Sequence, residues 1–274
     1  MLTYSFRRIA LVAAIFLGIL LPLVGSTAVF KRLSSSGDAL AHSSLAGVAI
    51  GLAAGFSPRI GAVIACIVSF FIIDLRRKKF SKYAERGVAI VLSGAIGLAG
   101  ILSSYTKAAN FDSYLFGSIL LITNGELIFT IILTLVVVLL SIIFYPQIFS
   151  VLYSESESKV NGIKVSLVSF TRDFLLSITI AVGSKIVGSL VVSSLVVLPT
   201  AIALQFKKGY KWTLILSVVF SIASMVLGLT AAYYLNLKPG ATIVTLSVCI
   251  LLLVFLIHAL LTLIGKRKRR TNKN

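Results

Sequence analysis

Residues 127–145 contain no charged side chain, only aliphatic and aromatic residues broken by two threonines and a serine. A run of this length crosses a bilayer as a helix, because a helix satisfies its own backbone polar groups where no water can. Nine such runs can be drawn, at about 9–29, 36–55, 58–75, 87–104, 124–145, 165–183, 186–205, 212–235 and 241–264. With 58% hydrophobic residues and a mean hydropathy of +1.05, they exclude an ordinary water-soluble domain. The expected fold is all-α, a polytopic membrane protein of about nine spans. The stretch 111–122 is apolar but too short to cross, and reads as an interfacial or re-entrant piece leading into the fifth span. Arg7 and Arg8 precede the first run as in a signal peptide, but the run is long enough to be a retained span.

A formal net charge of +18 invites a nucleic-acid reading. Position argues against it. Nine spans put the termini on opposite sides, and the tail Lys266-Arg267-Lys268-Arg269-Arg270 marks the C-terminus as cytoplasmic. The same side then receives Lys31 and Arg32, the cluster from Arg76 to Arg86, Lys159 and Lys164, and Lys207, Lys208 and Lys211. Few basic residues fall outside: Arg7, Arg8, Arg59, Lys107, Lys185 and Lys238. This asymmetry predicts N-out, C-in, and makes the basic patches topology determinants touching membrane lipid, with no nucleic-acid partner. The chain reads as one transmembrane domain over 1–265 with a basic cytoplasmic tail at 266–274. The predicted external connections are too short to fold as domains.

Within the second run, Asp38 and His42 stand four apart and share a helix face. A carboxylate and an imidazole suit a divalent transition ion; equally, Asp38 can be a solvated helix cap and His42 an interface residue. Beside them runs a row of small residues, Ser35, Ala39, Ser43, Gly47, Gly51 and Gly55, at the spacing that lets another helix approach closely. In the seventh run, Gly188 and Pro199 mark a kinked element for packing or gating, with Ser and Thr neighbours available to the carbonyl that Pro199 leaves without a donor. Arg172 and Asp173, near the cytoplasmic end of their span, point about 100° apart and are expected not to pair, acting as anchors. His258 is expected to pack. Cys66 and Cys249 lie in apolar runs and form neither a disulfide framework nor a Cys-x-x-Cys site.

The longest internal connection, 146–164, carries a short polar helix in which Glu155 and Lys159 form an i, i+4 pair, ended by the turn signal Asn161-Gly162. It reads either as a solvated linker or as a docking helix for a cytoplasmic partner. The chain has no phosphate-binding loop of the GxxxxGK[ST] type, no HExxH pair and no GxSxG elbow. It is therefore expected not to hydrolyse ATP by the usual P-loop route and not to be an enzyme.

Several landmarks, in order, resemble the membrane permeases of zinc, manganese and iron ABC importers. They are Gly37-Asp38-Ala39-Leu40-Ala41-His42-Ser43 with Gly47-Val48-Ala49; Tyr114-Leu115-Phe116-Gly117; Asn161-Gly162-Ile163; Lys185-Ile186-Val187-Gly188 through Val197-Leu198-Pro199-Thr200-Ala201; and Pro239-Gly240-Ala241-Thr242. The resemblance implies a bundle like that of vitamin B12-type importer permeases without their first helix. It also implies a homodimer with its path on the dimer axis, a separate cytoplasmic ATP-binding subunit, and an extracellular metal-binding solute-binding protein. It assigns Asp38 and His42 to the metal path. Contact with the ATPase falls to Glu155, Glu157, Lys159, Asn161, Gly162 and Ile163. Gly47, Gly51 and Gly55 become the packing face of the path helix, with Gly188 and Pro199 as packing or gating positions. No permanently bound cofactor is expected; the cargo is zinc or manganese, with iron possible. Two departures stand out: Ser118 replaces an acidic residue of many members, and Ala46 stands where manganese and iron members often have Pro, which favours zinc. Tyr145-Pro146 and the Ser/Glu-rich loop also differ from many relatives. The alternative is a stand-alone secondary metal transporter, which predicts activity without an ATPase and more acidic groups inside the spans.

Overall fold

A computed structural model describes residues 5–31, 33–79, 84–104, 114–117, 119 and 122–271. Much of 111–122, Ser118 and the end of the tail, 272–274, lie outside the described residues; within the first of these, 114–116 form a helical turn. The helices are α1 (Ser5–Phe30), α2 (Ser34–Ala54), α3 (Pro58–Lys79), α4 (Ala84–Ser103), α5 (Asn124–Ile143), α6 (Tyr145–Tyr153), α7 (Glu155–Val160), α8 (Val165–Val187), α9 (Ser189–Leu204), α10 (Tyr210–Tyr234) and α11 (Pro239–Thr271). No strand occurs among the described residues. A helix occupies each of the nine apolar runs, and seven are long and apolar enough to cross a membrane. The other two have clear reasons to differ. Serines, glycines, Asp38 and His42 dilute α2, while α9 has only 16 residues.

The bundle forms around α1, whose Ala10, Ala13, Ala14, Leu17, Leu20 and Leu21 are fully buried against α5, α8, α9 and α10. Packing inside a bilayer has no water to exclude, so close approach and small polar side chains take over as the glue. Ser177, Thr179, Ser217, Ser221, Ser224 and Ser247 are accordingly buried, while Ile128, Leu135, Leu252 and Phe255 face outward. A Cβ added to Gly25 of α1 would stand 2.3 Å from the carbonyl oxygen of Val196 in α9.

Three of the sequence landmarks meet at one point. Gly117 (φ +70°) lies against the break between α8 and α9, where a Cβ would come within 2.0 Å of the Val187 carbonyl carbon. Gly188, at that break, has φ +100° and ψ 149°, a conformation open essentially to glycine alone. Gly240, at the start of α11, would carry its Cβ 2.0 Å from the Phe116 carbonyl oxygen. These glycines let three backbones touch.

Pro199 sits inside α9, buried. The hydroxyls expected to satisfy its freed carbonyl are engaged elsewhere: Ser193 and Ser194 both donate to the Leu190 carbonyl, at 3.1 and 3.0 Å. The Thr200 hydroxyl is buried without a protein partner.

Candidate functional site

The helix carrying Asp38 and His42 is gripped on several sides. Gly47 faces Gly61 of α3 so closely that a Cβ would stand 2.2 Å from the Gly61 carbonyl oxygen, and Gly51 meets Pro58. Ser44 and Ser184 of α8 share a hydrogen bond of 2.5 Å, and the Cys66 thiol donates to the Leu40 carbonyl at 3.3 Å. Gly37 abuts Val196 of α9. Gly55, expected in the same packing row, has open space around it. Its φ of +76° makes it the left-handed cap of α2, with its N–H donated to Gly51, a common way to end a helix.

Asp38 and His42 remain half-buried on this helix, one turn apart. The Asp38 carboxylate interacts with the His42 ring and with the Ser193 hydroxyl of α9. Ser193 was not singled out as a site residue in the sequence, because nothing local relates α2 to α9. Among the described residues no group of three or more His, Cys, Asp and Glu side chains gathers. One chain thus offers a carboxylate and an imidazole, half of a tetrahedral donor set. His258, on α11, is half-buried and belongs to no such group.

At the end of the bundle that holds Lys31 and Glu155, two expectations about charged side chains are overturned. Glu155 does not pair with Lys159; it binds Lys31, just beyond α1. Lys31 is nearly covered, and a buried ammonium recruits the nearest carboxylate, whereas Lys159 is exposed and well solvated. Arg172 and Asp173, expected apart, do pair: Arg172 Nε donates to Asp173 Oδ1 at 2.8 Å, and Asp173 also binds Arg77 of α3. The 100° between neighbouring Cβ directions is overcome by the length of the arginine side chain. Arg172 is only 6% exposed, so it does not snorkel to water.

The loop helix is built by local rules. Ser154 caps α7, its Oγ accepting the Glu157 N–H at 3.2 Å. At the other end Ile163 N–H reaches Ser158 O at 2.9 Å and Gly162 N–H reaches Lys159 O at 3.1 Å, with Gly162 at φ +76°. This is a Schellman closure, which explains Asn161-Gly162-Ile163. Glu157, Lys159, Asn161 and Gly162 are exposed and Ile163 is half-buried. Sequence reasoning fixed on these charged and turn residues and passed over Tyr153 and Val160, which are 79% and 88% exposed. Tyr153 ends α6 and Val160 ends α7, so apolar residues on either side of a polar Ser/Glu stretch were the available signal.

The Lys31 hydrogen bond, more than any other effect, holds the Glu155 carboxyl below the usual carboxylate range. Burial pushes Lys31 below its ordinary value despite this partner, so the stabilising half of the pair resides on Glu155. Because its folded pKa is depressed, that contribution is present above the unfolded carboxylate pKa and disappears as pH falls through the folded one. Thermal melts of the purified chain should therefore fall on acidification below about pH 4, a drop that is smaller in Glu155→Gln. An unchanged acid profile in the variant would remove the pair from any role in holding α7.

The ABC 3 transport family matches residues 3–258. A "Probable metal transport system membrane protein" of Treponema pallidum is 36% identical over 255 residues, covering 93% of this chain and 96% of the relative. A "Manganese transport system membrane protein" of Listeria monocytogenes is 27% identical, covering 98% and 96%. A "High-affinity zinc uptake system membrane protein" of Buchnera aphidicola is 30% identical, covering 84% and 90%. Among solved structures, "PsaBC from Streptococcus pneumoniae in complex with Fab" superposes with a TM-score of 0.81 at 26% identity, covering 92% of each chain. The chain belongs to the ABC 3 transport family, and is a multi-pass protein of the cell membrane.

Proposed function

We propose that this chain is the permease subunit of an ABC importer for a divalent metal ion, with zinc favoured ahead of manganese and iron. One observation carries the reading: Asp38 and His42 lie one turn apart on a helix clamped by glycine contacts, with no third His, Cys, Asp or Glu gathered beside them among the described residues. Two such chains around a common axis would supply two carboxylates and two imidazoles. That is enough for a tetrahedral ion, at a site weak enough in each half to release it. The homodimer and the crossing of all nine helices belong to the same proposal, as do the N-out, C-in orientation and the cytoplasmic basic tail at 266–274, which the distribution of basic residues supports.

The cytoplasmic ATP-binding subunit would dock on α6–α7, where Tyr153 and Val160 protrude beside Glu157 and Lys159. The Lys31–Glu155 pair would carry its movement to the turn that leads into α2. An extracellular solute-binding protein would deliver the ion. The preference for zinc rests on Ala46, which packs with Leu45, Ala95 and Ala99, while relatives bear both zinc and manganese names.

Uptake of radiolabelled zinc, manganese and iron in cells expressing the chain with and without its ATPase tests both halves of the proposal. ATPase-dependent zinc uptake exceeding manganese uptake is expected. Uptake that persists without the ATPase would instead establish a stand-alone transporter, and manganese dominance would overturn the metal assignment alone.

A further inference from the structure

At the opposite end of the bundle from Lys31 and Glu155, a cleft of about 310 Å³ opens between α3, α5 and α8. Its rim is charged. Arg59 stands in the first turn of α3, Glu126 in the first turn of α5 and Lys185 in the last turn of α8. Glu126 Oε1 is shared between Arg59, at 3.3 Å, and Lys185. Two cations thus face one carboxylate, and a positive charge is left over. Helices α3 and α5 both begin at this rim and α8 ends there, so two positive helix ends and one negative end meet at it. The backbone at Gly125 is open as well, with nothing within 4 Å of where a Cβ would stand.

About one turn deeper the charge is gone. The walls are Ala62, Val63, Phe129, Ala181 and Val182. Val63 is 38% and Phe129 53% exposed, and Phe129 continues into the outward apolar face of α5 formed by Ile132, Leu135 and Val136. A hydrophilic anion would gain nothing from such walls. A cleft cationic at its mouth and apolar over the next turn matches an amphiphile, since basic groups between spans attract anionic headgroups.

We propose that this cleft holds one anionic phospholipid, its phosphodiester between Arg59 and Lys185 and an acyl chain along the groove between α3 and α5. Assignment to the outer leaflet rests on the orientation proposed above; the binding itself does not, and its test involves no metal.

The full-length chain, purified in detergent, is incubated with phosphatidylglycerol or phosphatidylcholine, and bound lipid is counted by native mass spectrometry. Wild type is expected to retain phosphatidylglycerol at least about tenfold over phosphatidylcholine, without displacement by inorganic phosphate. Arg59→Gln with Lys185→Met should reduce retention to the phosphatidylcholine level. Val63→Trp, which leaves every charge in place and fills the apolar wall, should do the same. Equal retention of the two lipids by wild type overturns the proposal. So does undiminished phosphatidylglycerol in Val63→Trp, or displacement by inorganic phosphate, which would mark a free-anion site.

Discussion

Asp38→Ala and His42→Ala are each expected to lower metal uptake at least about tenfold, the equivalent of about 1.4 kcal/mol, while the protein still inserts and folds. The two side chains are half-buried, and α2 has other anchors. The helix is held by Gly47 against Gly61, Gly51 against Pro58 and Ser44 against Ser184, all of which the substitutions leave intact. What disappears is a donor, and in the proposed symmetric dimer each substitution would remove two of four. Uptake of labelled ion in cells, normalised to the amount of protein in the membrane, reads the effect. Normal uptake by both variants would remove the pair from the transport path. Ser193→Ala should act in the same direction but less strongly, because it removes a neighbour of the Asp38 carboxylate and not a donor.

Gly188→Ala is expected to be the more damaging change to the fold. A single methyl group there meets the Gly117 nitrogen and the Leu115 carbonyl oxygen at 2.5 Å, and both partners are backbone atoms with little freedom to retreat. The strained φ costs about 1–3 kcal/mol for a residue with a side chain, and the overlap a further 1–3 kcal/mol or so. Loss of thermal stability in detergent, together with lower yield from the membrane, should follow. Gly209→Ser is the matched control: Gly209 has open space around it and precedes α10, where a serine can cap the helix. Equal melting temperatures for the two variants would mean that the three-backbone contact contributes little.

Much of this fold is written locally. Long uncharged runs specify membrane helices because each helix must satisfy its own backbone in lipid; helices occupy all nine runs, and among the described residues seven of them are long and apolar enough to cross. The Asn161-Gly162-Ile163 closure is equally local, since a left-handed glycine and two backbone hydrogen bonds complete it. Other features were visible only as residue types. The glycines at 117, 188 and 240 stood out in the sequence, but that they meet one another depends on how three distant segments pack.

Asp38 and His42 were likewise legible from their spacing, because four residues along a helix fix a shared face whatever surrounds it. Their neighbour Ser193, the row that ends at Gly51 with Gly55 as a cap, and the partner of Glu155 were not. Long charged side chains reach several partners at nearly equal cost in water, so a sequence pairs them by proximity along the chain. Burial removes that indifference. Once α1, α3, α7 and α8 come together, Lys31 is covered and takes Glu155, and Asp173 gathers both Arg77 and Arg172. Backbone hydrogen bonding within each span thus let the sequence alone determine the helices and the face that carries Asp38 and His42. Which helices touch, and therefore which charges meet, was decided by the tertiary structure, because that choice depends on what becomes buried between segments far apart in the chain.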